Sequence, residues 1–197
     1  MILGITGGIG TGKSSVLKIL QGFGIETISA DCFAKHLSEK GSPAYKQIVE
    51  LFGVSILKDG EIDRSALGKI VFNDEKARKK LESILHPEII AVIQERIDSF
   101  KKNNSFNKIY AVEVPLLYES GMQDIFDKIL VVSAELDKQM SRLKKAGLSE
   151  KDAMSRISAQ MPLEKKCILA DIVVENNGSI IALKEKIEEI LNKLADE

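Results

Sequence analysis

Gly7-Gly8-Ile9-Gly10-Thr11-Gly12-Lys13-Ser14 combine, in eight positions, the groups needed to hold a polyphosphate. Glycines let the backbone turn its N–H groups inward around an anion, and a helix N-terminus behind them adds partial positive charge. Lys13 has the reach for β- and γ-phosphates, and Ser14 offers a hydroxyl oxygen to Mg²⁺. The spacing matches G-x-x-x-x-G-K-[ST]. It follows the apolar run Ile2-Leu3-Gly4-Ile5 and precedes Ser15–Leu20, whose apolar residues have helical spacing. Gly8, Ile9, Gly10, Thr11, Gly12, Lys13, Ser14 and Ser15 are therefore expected to line a nucleoside triphosphate site. The competing reading is a glycine-rich turn with no ligand, and the strand–loop–helix context argues against it.

A second group follows the next strand, Ile28-Ser29-Ala30-Asp31. In open parallel sheets, ligands bind outside the carboxyl ends of the strands. Asp31 is thus expected to face the γ-phosphate from the side, where its carboxylate would take a proton from an acceptor hydroxyl. It reads equally well as an N-cap, because Cys32–Ser38 continues as a helix. Glu113, near the end of another apolar run, has the position of a carboxylate that holds Mg²⁺ through water.

Elements must place these groups. Strand candidates are Ile2–Thr6, Glu26–Ser29, Ile109–Val114, Ile129–Val132 and Ile172–Val174. Helical stretches between them argue for an α/β fold with a five-stranded parallel sheet. Helices are predicted at Lys13–Gln21 and Ile180–Leu194. About 75 residues with almost no strand signal separate the second and third strands, too many for a simple crossover. Helical patterns at Pro43–Phe52, Arg64–Phe72, Glu75–Leu85 and Glu88–Phe100 make that stretch, about 32–100, a helical insertion beside the sheet edge. Lys101–Ser105 reads as an exposed turn. Residues from about Asp137 to Ala159 read as two helices with a break at Ala146-Gly147.

Composition limits the alternatives. A chain of 197 residues suits one core with a subdomain. Its 28 basic and 29 acidic residues nearly cancel, so no global field points to nucleic acid or an anionic membrane. The pairs Lys144-Lys145 and Lys165-Lys166 read as solvated helix surface. Cys32 and Cys167 form no metal or disulfide pattern and fit reduced thiols. With no signal-peptide pattern and no run of roughly 18 apolar residues, the protein is expected to be soluble and cytoplasmic. Its oligomeric state is left at monomer or weak homo-oligomer.

Gly4–Ser14, Ala30-Asp31, His86-Pro87 and Pro115-Leu116-Leu117-Tyr118-Glu119 together resemble the dephospho-CoA kinase family, in order along nearly the whole chain. Gly60–Arg64, Val71-Phe72, Arg156–Gln160, Ala170-Asp171 and Asn176–Gly178 add to the resemblance. It implies a P-loop kinase that uses ATP and Mg²⁺ to phosphorylate the 3′-hydroxyl of the dephospho-CoA ribose. On this resemblance Asp31 is the catalytic base, and the insertion binds the acceptor through Arg64 and His86. Arg64 would pair with the acceptor's diphosphate, and a surface Arg is the plain alternative. For His86, contact with the acceptor and support of a turn are equal readings. Pro115, Leu116 and Glu119 would line the acceptor pocket, while Val112, Val114, Leu116 and Leu117 also read as core.

The helix pair about 137–159 resembles the lid of small P-loop kinases, which excludes water during transfer. Arg142 is the candidate lid cation and Arg156 a candidate nucleotide contact. Asn176-Asn177-Gly178, with Asn177 as the candidate contact, lies near where related kinases hold adenine, or forms a plain Asn-Gly turn. The chain departs from the family in having Lys144-Lys145 where another Arg is usual, and Ser29 where Asp is usual. Two other functions fit the P-loop: a kinase for another small acceptor, such as a nucleoside monophosphate, and a nucleotide-dependent switch.

Overall fold

In the computed structural model, which describes residues 1–103 and 109–195, the P-loop follows the middle strand of a parallel sheet. Strand β1 (Ile2–Gly7) is buried along its whole length because strands flank it on both sides. Helix α1 (Lys13–Gly22) leads to β2 (Glu26–Ser29) at the sheet edge.

The chain then forms α2 (Ala30–Leu37), α3 (Pro43–Phe52), the two-residue strands β3 (Leu57–Lys58) and β4 (Glu61–Ile62), α4 (Arg64–Val71) and the long α5 (Glu75–Asn103). It returns to the sheet as β5 (Tyr110–Glu113) and β6 (Lys128–Ser133). Helices α6 (Leu136–Lys145), α7 (Glu150–Ser158) and α8 (Leu163–Leu169) precede β7 (Ile172–Glu175) and α9 (Ile180–Ala195). The five-stranded sheet has the order β2-β5-β1-β6-β7, all parallel. The chain moves outward from β1 in one direction first and in the other later. The carboxyl end of β1 is thus the switch point where such sheets bind ligands.

Side-chain alternation divides the two faces of β1. Leu3 and Ile5 join Val16, Leu17 and Leu20 of α1 and Leu183, Ile187 and Leu194 of α9 in one core cluster. Gly4 points to the other face, where a Cβ would lie 2.8 Å from the Phe126 ring, so only glycine allows that approach.

The chain divides into two compact units, Met1–Ser29 with Arg96–Glu197, and Ala30–Glu95. The second has its own core of Ala44, Ile48, Ile56, Leu67 and Val71, with Leu81, Ile84 and Leu85 of α5 packed against it. Ser42 caps α3 by accepting from the Tyr45 N–H at 3.0 Å, ahead of Pro43 at the first helical position. Asp63 caps α4 through the Ser65 and Ala66 N–H groups.

Several sequence expectations are corrected. Glu75–Leu85 and Glu88–Phe100 are one helix that runs through Pro87, with no break at His86-Pro87. Pro87 removes one hydrogen bond to the Ser83 carbonyl. Apolar contacts on both sides, including fully buried Ile93 and Ile97, outweigh that loss. Lys101–Asn103 form the last helical turn of α5, and Asn104-Ser105 of the expected turn lie outside the described residues. The insertion also contains the β3–β4 hairpin, turned by Asp59-Gly60 with φ of 54° and 79°. Positive φ at both central residues is the demand that makes Asp-Gly a hairpin signal. Asp31 lies inside the first turn of α2, which begins at Ala30, rather than at the N-cap position.

Candidate functional site

Gly12 ends the loop with φ 99°, and a Cβ there would collide with Asn176 Nδ2. Glycine is required at this position on both counts. Lys13, only 9% exposed, turns its ammonium onto the Gly7 and Gly8 carbonyls at 3.2 and 3.0 Å. Thr11 is fully buried and donates its hydroxyl to the Gly8 carbonyl at 2.9 Å, so its side chain braces the loop from within. Ser14 is exposed in the first turn of α1 and Ser15 is half-buried.

Residues outside the motif fix the loop's outer side. Arg142 of α6 donates to the Gly10 and Thr11 carbonyls at 3.1 and 3.0 Å and to the Asn176 carbonyl at 2.6 Å. Buried Asn176 adds a bond from its Nδ2 to the Thr11 carbonyl at 2.8 Å. In a planar trans peptide, C=O and the following N–H point in opposite directions. Holding the Thr11 carbonyl toward Arg142 and Asn176 therefore turns the Gly12 N–H away from them. This is how a backbone loop is set to present N–H groups to an anion.

On another side, the Ile9 N–H donates to Gln160 Oε1 at 2.8 Å. A Cβ at Gly10 would lie 2.9 Å from the Gln139 carbonyl, so α6 packs directly against the loop. Gln139 is itself held, its Nε2 donating to the Ala134 carbonyl at 2.8 Å.

Sheet register places the next groups. Glu113 ends β5 and is paired with Ile5 of β1 and Ser29 of β2, at the same carboxyl edge as the P-loop. It is half-buried. Asp31 follows Ser29 by two residues, in the first turn of α2, and is exposed. An acidic residue there is favoured by the helix dipole.

Beyond Glu113 the chain turns through Pro115–Glu119. Val112, Val114 and Leu117 are buried as core, and Leu116 is half-buried. The Pro115 carbonyl accepts from Thr6 Oγ1 at 3.2 Å and from Lys166 Nζ at 2.9 Å. Glu119 Oε1 receives Lys166 Nζ at 2.8 Å and the Met161 N–H at 2.9 Å. The expectation of a solvated Lys165-Lys166 pair is corrected for Lys166, which is 0% exposed. Lys165 is exposed, as are Lys144 and Lys145. Burial pushes the Tyr118 phenol above its ordinary range, and the negative charges of Asp171 and Cys167 add to that.

The pair α6 and α7 is joined across Gly147, at φ 87°, and braced by Lys144 on Glu150 at 2.9 Å. Arg156 lies half-buried in the last turn of α7. Asn177 is tied to the loop before α6: its Oδ1 accepts from the Glu135 N–H at 2.8 Å and its Nδ2 reaches Glu135 Oε1 at 3.3 Å. Its neighbour Asn176 is the one that meets the P-loop. In the Ala30–Glu95 unit, Arg64 begins α4 and donates to Ser38 Oγ at 3.2 Å, and His86 sits half-buried within α5. His86 therefore lies in helix and supports no turn.

Sequence reading missed Gln139 and Lys166 as parts of this arrangement, and named Thr6 and Asn176 only within longer family-like stretches, without these contacts. Gln160 entered only as a supporting match. Asn176 carried a signal in the Asn-Asn-Gly run. Lys166 carried none, since a Lys-Lys pair in a short helix reads as surface.

The family model for dephospho-CoA kinase matches residues 1–182. A dephospho-CoA kinase of Carboxydothermus hydrogenoformans is 43% identical over 194 residues, covering 98% of this chain and 93% of its own. One from Bacillus thuringiensis is 40% identical, with 98% and 96% covered. Among solved structures, dephospho-CoA kinase from Campylobacter jejuni aligns with TM-score 0.70 at 31% identity, over 99% of this chain and 97% of its own. Shikimate kinase from Acinetobacter baumannii, at 12% identity and TM-score 0.54 over 99% of this chain and 93% of its own, shares the fold alone. With a P-loop at the switch point of a parallel sheet and likeness along nearly its whole length, the chain belongs to the dephospho-CoA kinase family.

Proposed function

We propose that this chain transfers the γ-phosphoryl group of ATP to the 3′-hydroxyl of the dephospho-CoA ribose, giving CoA and ADP. The observation that carries the phosphoryl-transfer chemistry is the loop itself, its carbonyls held outward by Arg142 and Asn176 while Lys13 lies against it. What supports this acceptor is the near-full-length likeness to dephospho-CoA kinases.

In this reading residues Gly8 to Ser15 hold the phosphates, with the Ile9 N–H bracing the loop on Gln160 rather than facing the anion, and Lys13 moves from the loop carbonyls to the β/γ-oxygens. Asp31 takes the hydroxyl proton, the task of a base in in-line transfer. Arg64 and His86 bind the acceptor from the helical unit, and Pro115, Leu116 and Glu119 from the loop after β5. Arg142 and Arg156 supply positive charge, and Asn177 borders the adenine. Ser14 and Glu113, hard oxygen donors at one sheet edge, would hold a Mg²⁺ ion, Glu113 through water. The ion would neutralise charge developing on the phosphoryl oxygens. Among the described residues no helix is long and apolar enough to cross a membrane. The reading extends to a cytoplasmic enzyme, monomeric or weakly self-associating.

An ADP-release assay over a panel of acceptors tests the assignment. Turnover with dephospho-CoA and little with nucleoside monophosphates or shikimate is expected; the reverse pattern rejects it. For Asp31→Asn, ATP affinity is expected to hold while turnover falls about 10²–10⁴-fold, the scale of a lost acid/base group. Near-normal turnover in that variant would leave Asp31 as a helix-dipole partner only.

A further inference from the structure

The geometry points to Lys166 as a positioning residue for phosphoryl transfer, a buried cation that holds the start of the P-loop in place through two arms. This inference rests on the kinase reading above. Lys166 is 0% exposed, and an ammonium leaves water at large cost unless its charge and protons are met. Here the charge is met by Glu119 Oε1 at 2.8 Å, and that oxygen and the Pro115 carbonyl at 2.9 Å take two of the three protons.

The first arm runs through the Pro115 carbonyl, which also accepts from Thr6 Oγ1 at 3.2 Å, on the last residue before Gly7. The second arm runs through Glu119 Oε1, which accepts the Met161 N–H at 2.9 Å. The residue before Met161 is Gln160, whose Oε1 takes the Ile9 N–H at 2.8 Å. The two arms therefore end at Thr6 and Ile9, on either side of Gly7-Gly8. The carbonyls of those two glycines are the ones that receive Lys13 Nζ. The polar partners of Lys166 are Pro115 and Glu119 rather than loop atoms, and through them it fixes the span that sets the height and direction of Lys13.

A buried ion pair kept for stability alone is replaceable by apolar or neutral groups of similar size without loss. A pair kept for positioning is not. The double variant Lys166→Met with Glu119→Gln removes both charges and leaves neither uncompensated. The expected result is a folded protein whose thermal midpoint stays at or above that of the wild type. Its kcat is expected to fall at least tenfold, against a change under threefold in ATP KM, and amide exchange over residues 6–12 to quicken at least fivefold. Gln160→Ala, which touches neither charge, is the second variant. It is expected to speed exchange at Ile9 and lower kcat several-fold. If the double variant folds but keeps kcat within twofold and its loop exchange unchanged, the inference is overturned. If the double variant does not fold, wild-type exchange and kcat in Gln160→Ala overturn it instead. The exchange readout needs no acceptor. A wild-type protein inactive on dephospho-CoA would thus sink the function and leave this inference to be judged on exchange alone.

Discussion

At the scale of single residues, the P-loop is shaped by polar groups on its outer side as much as by its own glycines. Gly12 shows how little room this leaves, because φ 99° and the proximity of Asn176 Nδ2 both exclude a side chain. Gly12→Ala is expected to weaken ATP binding at least tenfold, measured by titration with a fluorescent analogue. The global fold, read by circular dichroism, is expected to be retained. Tyr118 presents the opposite case. Its hydroxyl is buried and has no hydrogen-bond partner among the described residues. Burying an unpaired hydroxyl is unfavourable. Tyr118→Phe is therefore expected to leave stability unchanged or raise it by up to about 1 kcal/mol in urea unfolding. A clear loss would mean that the hydroxyl has a partner in solution.

At the scale of elements, α5 carries a proline in its interior and survives it. Pro87 is exposed and costs the helix one hydrogen bond and a clash with the preceding turn, about 3 kcal/mol in an isolated interior. Pro87→Ala is expected to stabilise the protein by up to that amount, read from the urea midpoint; destabilisation would show that the ring itself is packed. This proline also marks what the sequence conceals. Local rules end a helix before Pro, and only the apolar residues on both sides, brought together by the fold, keep α5 continuous. The strands were legible chiefly as short apolar runs between turn signals, β2 with Ile28 alone being the weakest, and all five fall within a residue or two of their expected ends. The P-loop was legible because its glycines, Lys13 and Ser14 are adjacent in sequence. Arg142 could be named from its family position, but its partners could not, since Gly10 and Asn176 lie 132 and 34 residues away. Lys166 was hidden for the same reason: burial depends on what packs over a side chain, and a charge pair in a helix carries no sign of it.

At the scale of the whole molecule, the chain forms two units with separate cores. The P-loop, Arg142, Lys166 and Asn176 belong to Met1–Ser29 with Arg96–Glu197, and Asp31, Arg64 and His86 to Ala30–Glu95. The first unit also holds three groups whose neutral forms are favoured by burial. Burial is the largest cause for Tyr110, Tyr118 and Cys167, with Glu26 adding to it at Tyr110 and Glu164 and Glu175 at Cys167. Their pKa values are all raised in the folded state, so the unfolded chain gives up these protons first. Below the ordinary values of 9.0 for the thiol and 10.0 for the phenols, both states are protonated and no slope arises. Above them the folded state binds more protons than the unfolded one, so stability falls as pH rises, until the folded values are passed. Urea midpoints measured from pH 8 to pH 11 are thus expected to drop, steepening past pH 10, where the phenols begin to titrate in the unfolded chain. Cys167→Ser should remove the earliest part of the decline and Tyr118→Phe a later part. A midpoint that stays level to pH 11 would mean that these groups are as well hydrated in the folded protein as in the unfolded chain.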